Sequence, residues 1–299
     1  MTTQTQTLST QTTWIEENHE GTLALRYALK HVLFEGKSQF QTVTVVETEG
    51  FGRMLLNDGL VMISERDEFI YHEMIAHVPL FAHPCAKQVL VIGGGDGGTA
   101  REVLRHSQVE YCHMVEIDEM VVNACKQWIP QTAIGMADNP RFKLDIADAV
   151  DYVATTDQRY DVILVDSTDP IGPAVPLFGD DFYRNVYRIL ADDGIVVAQG
   201  ESPVYAAEQQ RSLLKTMGKL FPLVSMYNYN NMTYPGGLWS FAIASKKYHP
   251  ISALDATKVA KSGIQFSWYS PAIHQASFVL PQFMLDNLQD VLKYSLDDA

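Results

Sequence analysis

From residue 89 to residue 220, short apolar runs alternate with longer helix-patterned stretches, a rhythm that few folds accept. Strands are expected at 89–94, 111–117, 141–147, 160–166 and 194–199, and helices at 99–106, 119–129, 148–156, 180–190 and 205–220. Strands joined through helices lie parallel in one sheet, with the helices covering both faces. Two further runs, Leu223 to Tyr229 and Leu238 to Ser245, follow each other with no helix between them. So short a link suits only an antiparallel pair, so the parallel sheet should end in a reversed hairpin.

Ahead of this region the pattern changes to period two. Val43 and Val45 flank Thr44, and Met54-Leu55-Leu56 and Leu60-Val61-Met62 flank the turn Asn57-Asp58-Gly59, which reads as a strand followed by a hairpin. The stretch Leu23 to Phe34 fits helix and strand equally well. A helix should begin near Ser64-Glu65-Arg66-Asp67-Glu68 and stop at Pro79. The expected organisation is a disordered leader at 1–13, a small β-rich domain at 14–65, and a catalytic domain at 66–299 ending in a helical and loop appendage.

The Thr/Gln-rich start has neither the basic residues nor the apolar core of a signal peptide, and no apolar run approaches the roughly 20 residues of a membrane span. Cys85, Cys112 and Cys125 match no zinc or disulfide spacing, which points to a reducing, cytoplasmic setting. A formal charge of −14 repels nucleic acid and acidic membranes and favours a small cation as partner, although the same balance also serves plain solubility.

The first strand runs into Gly93-Gly94-Gly95-Asp96-Gly97-Gly98, where Gly93, Gly95 and Gly98 meet the fingerprint of a tight strand-to-helix turn that a nucleotide can approach. Asp96 argues against a phosphate there. Two like charges about 4 Å apart at an effective dielectric of about 20 repel by roughly 4 kcal/mol. The loop therefore suits a nucleoside that carries positive charge.

Ligands of such sheets bind beyond the carboxyl ends of the strands, and those ends are acidic: Asp96, then Glu116 and Asp118, then Asp148, then Asp166 and Asp169. Glu116 lies 18 residues after Gly98, near the offset at which an acid takes ribose hydroxyls. Asp118 reads foremost as a helix cap, and Asp148 as either a cap or an adenine contact. Asp166 and Asp169 sit in a loop that Pro170, Gly172 and Pro173 keep from becoming helix. The pair could form a turn, an acid/base pair or a metal site, the last being weakest because no His or Cys cluster is near in sequence. Asp166 is the candidate base and Asp169 the anchoring charge. Tyr71, His72 and Tyr234 read singly as packing residues, yet tyrosines beside carboxylates also suit an alkyl diamine.

These residues fall within longer stretches, among them Glu65-Arg66-Asp67-Glu68-Phe69-Ile70-Tyr71-His72-Glu73-Met74, Val115 to Asp118, Asp166-Ser167-Thr168-Asp169-Pro170-Ile171-Gly172-Pro173, Thr233-Tyr234-Pro235 and Ala276 to Pro281. Together they resemble, nearly end to end, the spermidine synthases, which are polyamine aminopropyltransferases. The resemblance implies transfer of an aminopropyl group from decarboxylated S-adenosylmethionine to an amine, usually putrescine, with release of methylthioadenosine. It implies that Gln41 and Glu116 hold the nucleoside, Asp148 and Ala149 the adenine, and that Pro173 packs beside it. Asp96 and His72 would hold amine groups, Asp166 would accept the proton, and Tyr71, Asp169 and Tyr234 would line the amine channel. It implies a homodimer or homotetramer with no metal and no cofactor, the nucleoside being a co-substrate. Met62 stands where the family commonly has Gln, Ala149 where Gly is usual, and Val175-Pro176 where Glu-Ser is frequent.

The fold class expected is α/β, a doubly wound, mostly parallel seven-stranded sheet of the methyltransferase-like Rossmann type with a small N-terminal β-rich domain. A methyltransferase would share that sheet, but Asp96 opposes the donor's carboxylate. A dinucleotide dehydrogenase fits neither Asp96 nor the reversed hairpin. A non-catalytic polyamine-binding protein would have no use for both Asp166 and Asp169.

Overall fold

The structure, a computed structural model, describes residues 12–19, 21–168 and 172–294, apart from the side chains of 172 and 173. The expected leader thus lies outside the described residues except for Thr12 and Thr13. Five strands form an antiparallel sheet in chain order: β1 (Trp14–His19), β2 (Leu23–Lys37), β3 (Thr42–Thr48), β4 (Gly52–Asn57) and β5 (Leu60–Ser64). The β4–β5 turn has Asp58 at φ 49° and Gly59 at φ 83°. Two successive left-handed residues match the right-handed twist of the strands they join.

The ambiguous stretch is strand. Along β2 the pairing with β3 slips between Leu29 and His31 and again between Val32 and Phe34. Each slip shifts which side chains face inward, so the sequence shows no clean alternation.

Helix α1 (Glu68–Ala82) runs through Pro79 and does not stop there. Every residue of it but Phe69 is buried. Packing on all sides outweighs the roughly 3 kcal/mol that an interior proline costs an exposed helix.

The second sheet has the strand order β11-β12-β10-β9-β6-β7-β8. It is built from β6 (Gln88–Gly93), β7 (Tyr111–Glu116), β8 (Phe142–Ile146), β9 (Tyr160–Asp166), β10 (Leu190–Gln199), β11 (Leu223–Asn230) and β12 (Leu238–Ser245). The five strands from β8 to β10 are parallel, while β12 runs antiparallel to both of its neighbours, which gives the reversed hairpin. The helices are α2 (Gly98–Leu104), α3 (Glu119–Trp128), α4 (Pro130–Ala133), α5 (Ala149–Thr155), α6 (Asp180–Ile189) and α7 (Ala207–Gly218), then α8 (Ala256–Lys261), α9 (Pro271–Ser277) and α10 (Gln282–Leu288).

Alternate residues of each central strand enter different cores. Val89, Val91, Val162 and Leu164 pack with α1 and α2, whereas Leu90, Ile92, Ile163 and Val165 pack with α5, α6 and α7. A third cluster of Val43, Val45, Leu55 and Ile63 with Val121, Ala124 and Cys125 of α3 fastens the first sheet to the second. Glu73 of α1 accepts the backbone N–H groups of Ser267, Trp268 and Tyr269 at 2.7, 2.8 and 2.7 Å, which ties the appendage to the same helix. Among the described residues no helix is long and apolar enough to cross a membrane.

The connections from β6 and β9 leave in opposite directions, so their carboxyl ends open a crevice of the kind that binds ligands in such sheets. There the backbones touch: Gly93 pairs with Asp166 and has φ 78°. A Cβ on Gly93 would collide with the Asp166 carbonyl oxygen. Left-handed strain of about 1–2 kcal/mol and overpacking of about 1–3 kcal/mol then add. Gly93→Ala should lower the thermal unfolding midpoint by several degrees, and an unchanged midpoint would show that the two strand ends can part freely.

Candidate active site

Asp96 reaches its place because the glycine loop folds back on the start of α2. Its Oδ1 accepts the Gly98 N–H at 2.8 Å, and the same oxygen faces Nε2 of His72 at 3.2 Å as an ion-pair contact. His72 lies one helical turn after Glu68 on α1, with Nδ1 2.5 Å from Glu68 Oε2. Arg101 of α2 clamps that carboxylate from behind with two bonds, Nη1 to Oε1 at 2.8 Å and Nη2 to Oε2 at 2.9 Å. Burial opposes charge on His72, but the Asp96 and Glu68 carboxylates prevail and raise its pKa to about 10. Burial likewise disfavours charge on Glu68, yet His72 and Arg101 hold it down at about 2. The imidazole is a cation throughout the neutral range.

Asp166 ends β9. It accepts the Tyr71 hydroxyl on Oδ1 at 2.7 Å and the Thr99 hydroxyl on Oδ2 at 2.6 Å. Burial and then the charge of Asp96 push its pKa above the ordinary carboxylate value, while His72 and the two hydroxyls pull it back. Such a carboxylate is better suited to accept a proton than an exposed one. Tyr71 keeps its own proton, because burial and the neighbouring Asp166 hold it well above its usual range.

Folding thus supplies the histidine that the sequence around Asp166 lacks. One oxygen or nitrogen from each of His72, Asp96 and Asp166 lies within 4.8 Å of the others. A metal would need an imidazole lone pair, and both nitrogens of His72 face carboxylates. The carboxylates at both nitrogens favour the protonated form of the ring.

On the other flank, Glu116 ends β7 and accepts the Asp118 N–H at 2.8 Å. Burial raises its pKa to about 7. Asp118 caps α3 by accepting the Met120 N–H at 3.0 Å, and it also accepts Ser38 Oγ at 2.7 Å and Gln41 Nε2 at 3.0 Å. It is a cap, as read from sequence, and it orients Gln41 as well. Asp148 caps α5 through the Val150 N–H at 2.7 Å while lining the cavity. The cap reading of Asp148 holds, and the same residue faces the cavity.

A single cavity is lined by Gln41, Glu116, Asp148, Ala149, Tyr71, His72, Asp96, Asp166 and Tyr234. The strands that should converge on it do so. Asp169 lies outside the described residues, as does the side chain of Pro173. The Tyr234 hydroxyl donates to the Met62 carbonyl at 2.7 Å, so position 62 contributes its backbone whatever its side chain. The Tyr234 ring lies 6.2 Å from that of Tyr71 and 4.9 Å from that of Trp239.

Sequence reasoning passed over Thr99, Gln199, Trp239 and Glu17. Gln199 ends β10 and lines the cavity, so the strand-end rule that yielded Asp166 would have found it. Glu17 comes from β1 of the other sheet and also lines the cavity, a placement with no local signal.

Comparison with known proteins adds independent observations. Residues 68–255 match the family model described as spermine/spermidine synthase domain, and residues 13–65 match the spermidine synthase tetramerisation domain. A polyamine aminopropyltransferase of Methanocaldococcus jannaschii is 44% identical over 285 residues, covering 94% of this chain and 96% of that one. One of Moorella thermoacetica is 45% identical, covering 92% and 96%. A crystal structure of a spermidine synthase in complex with the transition state analogue AdoDATO superposes with a TM-score of 0.90 at 38% identity, covering 95% of this chain and 98% of that one. The spermidine synthase of Thermotoga maritima gives 0.89 at 38% identity, covering 93% and 95%.

The resemblance implies that Glu116 holds the ribose hydroxyls, a role that needs the ionised carboxylate, and burial that raises its pKa to about 7 disfavours that form at pH 6. Affinity for methylthioadenosine, an uncharged nucleoside, should therefore rise about tenfold from pH 6 to pH 8 and level off above. Calorimetry should find that slope lost in Glu116→Gln, and a slope that survives the substitution would remove Glu116 from the nucleoside site.

Proposed function

This chain belongs to the spermine/spermidine synthase family of polyamine aminopropyltransferases, and we propose that it moves the aminopropyl group of decarboxylated S-adenosylmethionine to putrescine, giving spermidine and methylthioadenosine. The observation that carries this reading is Asp96 beside Asp166 within a nucleoside-binding crevice. A sulfonium nucleoside with an ammonium tail balances those charges, whereas the carboxyl group of the undecarboxylated donor would be repelled.

Asp166 is the proton acceptor in this reading. The amine nitrogen attacks the carbon bonded to the sulfonium sulfur; the new C–N bond forms as the C–S bond breaks, and its electron pair neutralises the sulfur. The proton released from nitrogen passes to Asp166. Alignment of amine and sulfonium in one closed crevice contributes much of the acceleration. Glu116 and Gln41 take the ribose side, Asp148, Ala149 and Pro173 the adenine, and Asp96 the donor's ammonium; His72, expected from the resemblance to hold an amine as well, is itself cationic and instead sets Asp96 in place. Tyr71, Tyr234 and Asp169 flank the acceptor amine, their aromatic faces covering its methylenes. The donor is consumed as a co-substrate, so the reaction as written draws on no cofactor or metal. The β-rich unit at 14–65 would mediate assembly into a homodimer or homotetramer around a catalytic unit at 66–299, and the enzyme would act in the cytoplasm.

Asp166→Asn keeps the size and polarity of the side chain, its oxygen accepting from one of the Tyr71 and Thr99 hydroxyls and its amide donating to the other, but cannot take the proton. Turnover should fall by about 10²–10⁴, the usual worth of a positioned general base, with donor affinity and unfolding midpoint nearly unchanged. Full turnover in this variant would reject Asp166 as the base. With a donor isotopically labelled in its aminopropyl group and an equimolar mixture of putrescine, cadaverine, agmatine and spermidine, mass spectrometry should show labelled spermidine forming first, and another leading labelled product would reassign the acceptor.

A further inference from the structure

Glu68 does not line the cavity, yet it is buried and committed to two cations, His72 on its own helix and Arg101 on α2. The groups around His72 come from every element packed on it: Glu68 and Tyr71 from α1, Asp96 from the glycine loop, Arg101 from α2, and Asp166 from β9. The ring occupies the space that a Cβ on Gly98 would need, so it packs directly on the start of α2. Its two nitrogens face the Glu68 and Asp96 carboxylates.

We propose that Glu68 is a positioning residue for the transfer reaction: clamped by Arg101 behind the cavity, it holds His72 against Asp96 so that Asp96 and Asp166 stand side by side as carboxylates. Two carboxylates this close share a proton unless a cation lies between them. His72 is that cation, and Glu68 opposes the burial that would discharge it. Arg101 anchors Glu68 and, without Glu68, would face His72 as a like charge. Removing the carboxylate thus withdraws an attraction and exposes a repulsion. The inference rests on the aminopropyl-transfer reading for its kinetic arm but not for its spectroscopic one.

Nitrogen-edited NMR of the full chain without substrate reads the charge of His72 directly. The wild-type ring should stay protonated from pH 6 to pH 9. In Glu68→Gln it should lose its proton within that range, and Glu68→Asp should restore most of the charge. In the same variants the acid limb of the kcat/KM profile should move upward by about one pH unit in Glu68→Gln and come part of the way back in Glu68→Asp, whose shorter arm keeps the charge but lengthens the contact. A merely structural Glu68 would lower the unfolding midpoint of Glu68→Gln and leave both readouts where they were. A His72 ring that remains protonated to pH 9 in Glu68→Gln overturns the proposal, as does an unmoved acid limb. Should Glu68→Gln fail to fold, Glu68→Asp alone decides, because its shorter arm must lengthen the 2.5 Å contact and lower the titration of His72 measurably; no shift there overturns it as well. If the wild type transfers no aminopropyl group while His72 behaves as stated, the proposed reaction fails and the role of Glu68 in charging the ring stands.

Discussion

One buried cation lets two carboxylates share a cavity. Asp96 and Asp166 approach each other within 4.8 Å at the crevice between β6 and β9, a separation at which like charges repel by several kcal/mol in a partly shielded site. The His72 imidazolium lies beside both and is in turn held by Glu68 and Arg101. Signs alternate from Asp96 through His72 and Glu68 to Arg101, so each of these charges lies beside one of the opposite sign. Breaking such a chain leaves a charge uncompensated, which costs far more than a surface ion pair contributes.

The fold provides what this chain of charges requires. Helix α1 carries Glu68, Tyr71 and His72 on successive turns and is buried almost wherever it is touched, so its side chains have few alternative positions. The glycine loop allows β6 to meet β9 at backbone contact, and that contact puts the Asp166 side chain within reach of hydroxyls from both α1 and α2. Reactive side chains mounted on buried elements keep their geometry better than side chains on loops. The cavity lining combines the aromatic rings of Tyr71, Tyr234 and Trp239 with the polar groups of Gln41, Glu116 and Asp148.

Much of this was legible before any coordinates. The strand and helix rhythm gave the parallel sheet and the reversed hairpin, and the rule that ligands sit at carboxyl ends of strands drew Asp96, Glu116, Asp148 and Asp166 toward one place. What stayed unread has physical causes. Slips of register in β2 hide its alternation, and the burial of α1 overrides the stop that Pro79 signals. Glu68 and His72 stand four apart, a spacing visible in the chain, but their partner Arg101 follows Glu68 by 33 residues on another helix. Thr99 reaches Asp166 across 67 residues and Glu17 enters from the other sheet, so neither leaves a local pattern.

The sign of charge that the crevice accepts beside Asp96 decides which donor this chain can use. Calorimetric titration of the wild-type protein with decarboxylated S-adenosylmethionine and with S-adenosylmethionine, under identical salt and pH, measures that preference directly. The repulsion of roughly 4 kcal/mol expected between Asp96 and a donor carboxylate corresponds to a preference of roughly 10³-fold for the decarboxylated compound. Equal affinities, or tighter binding of the carboxylated compound, would contradict it.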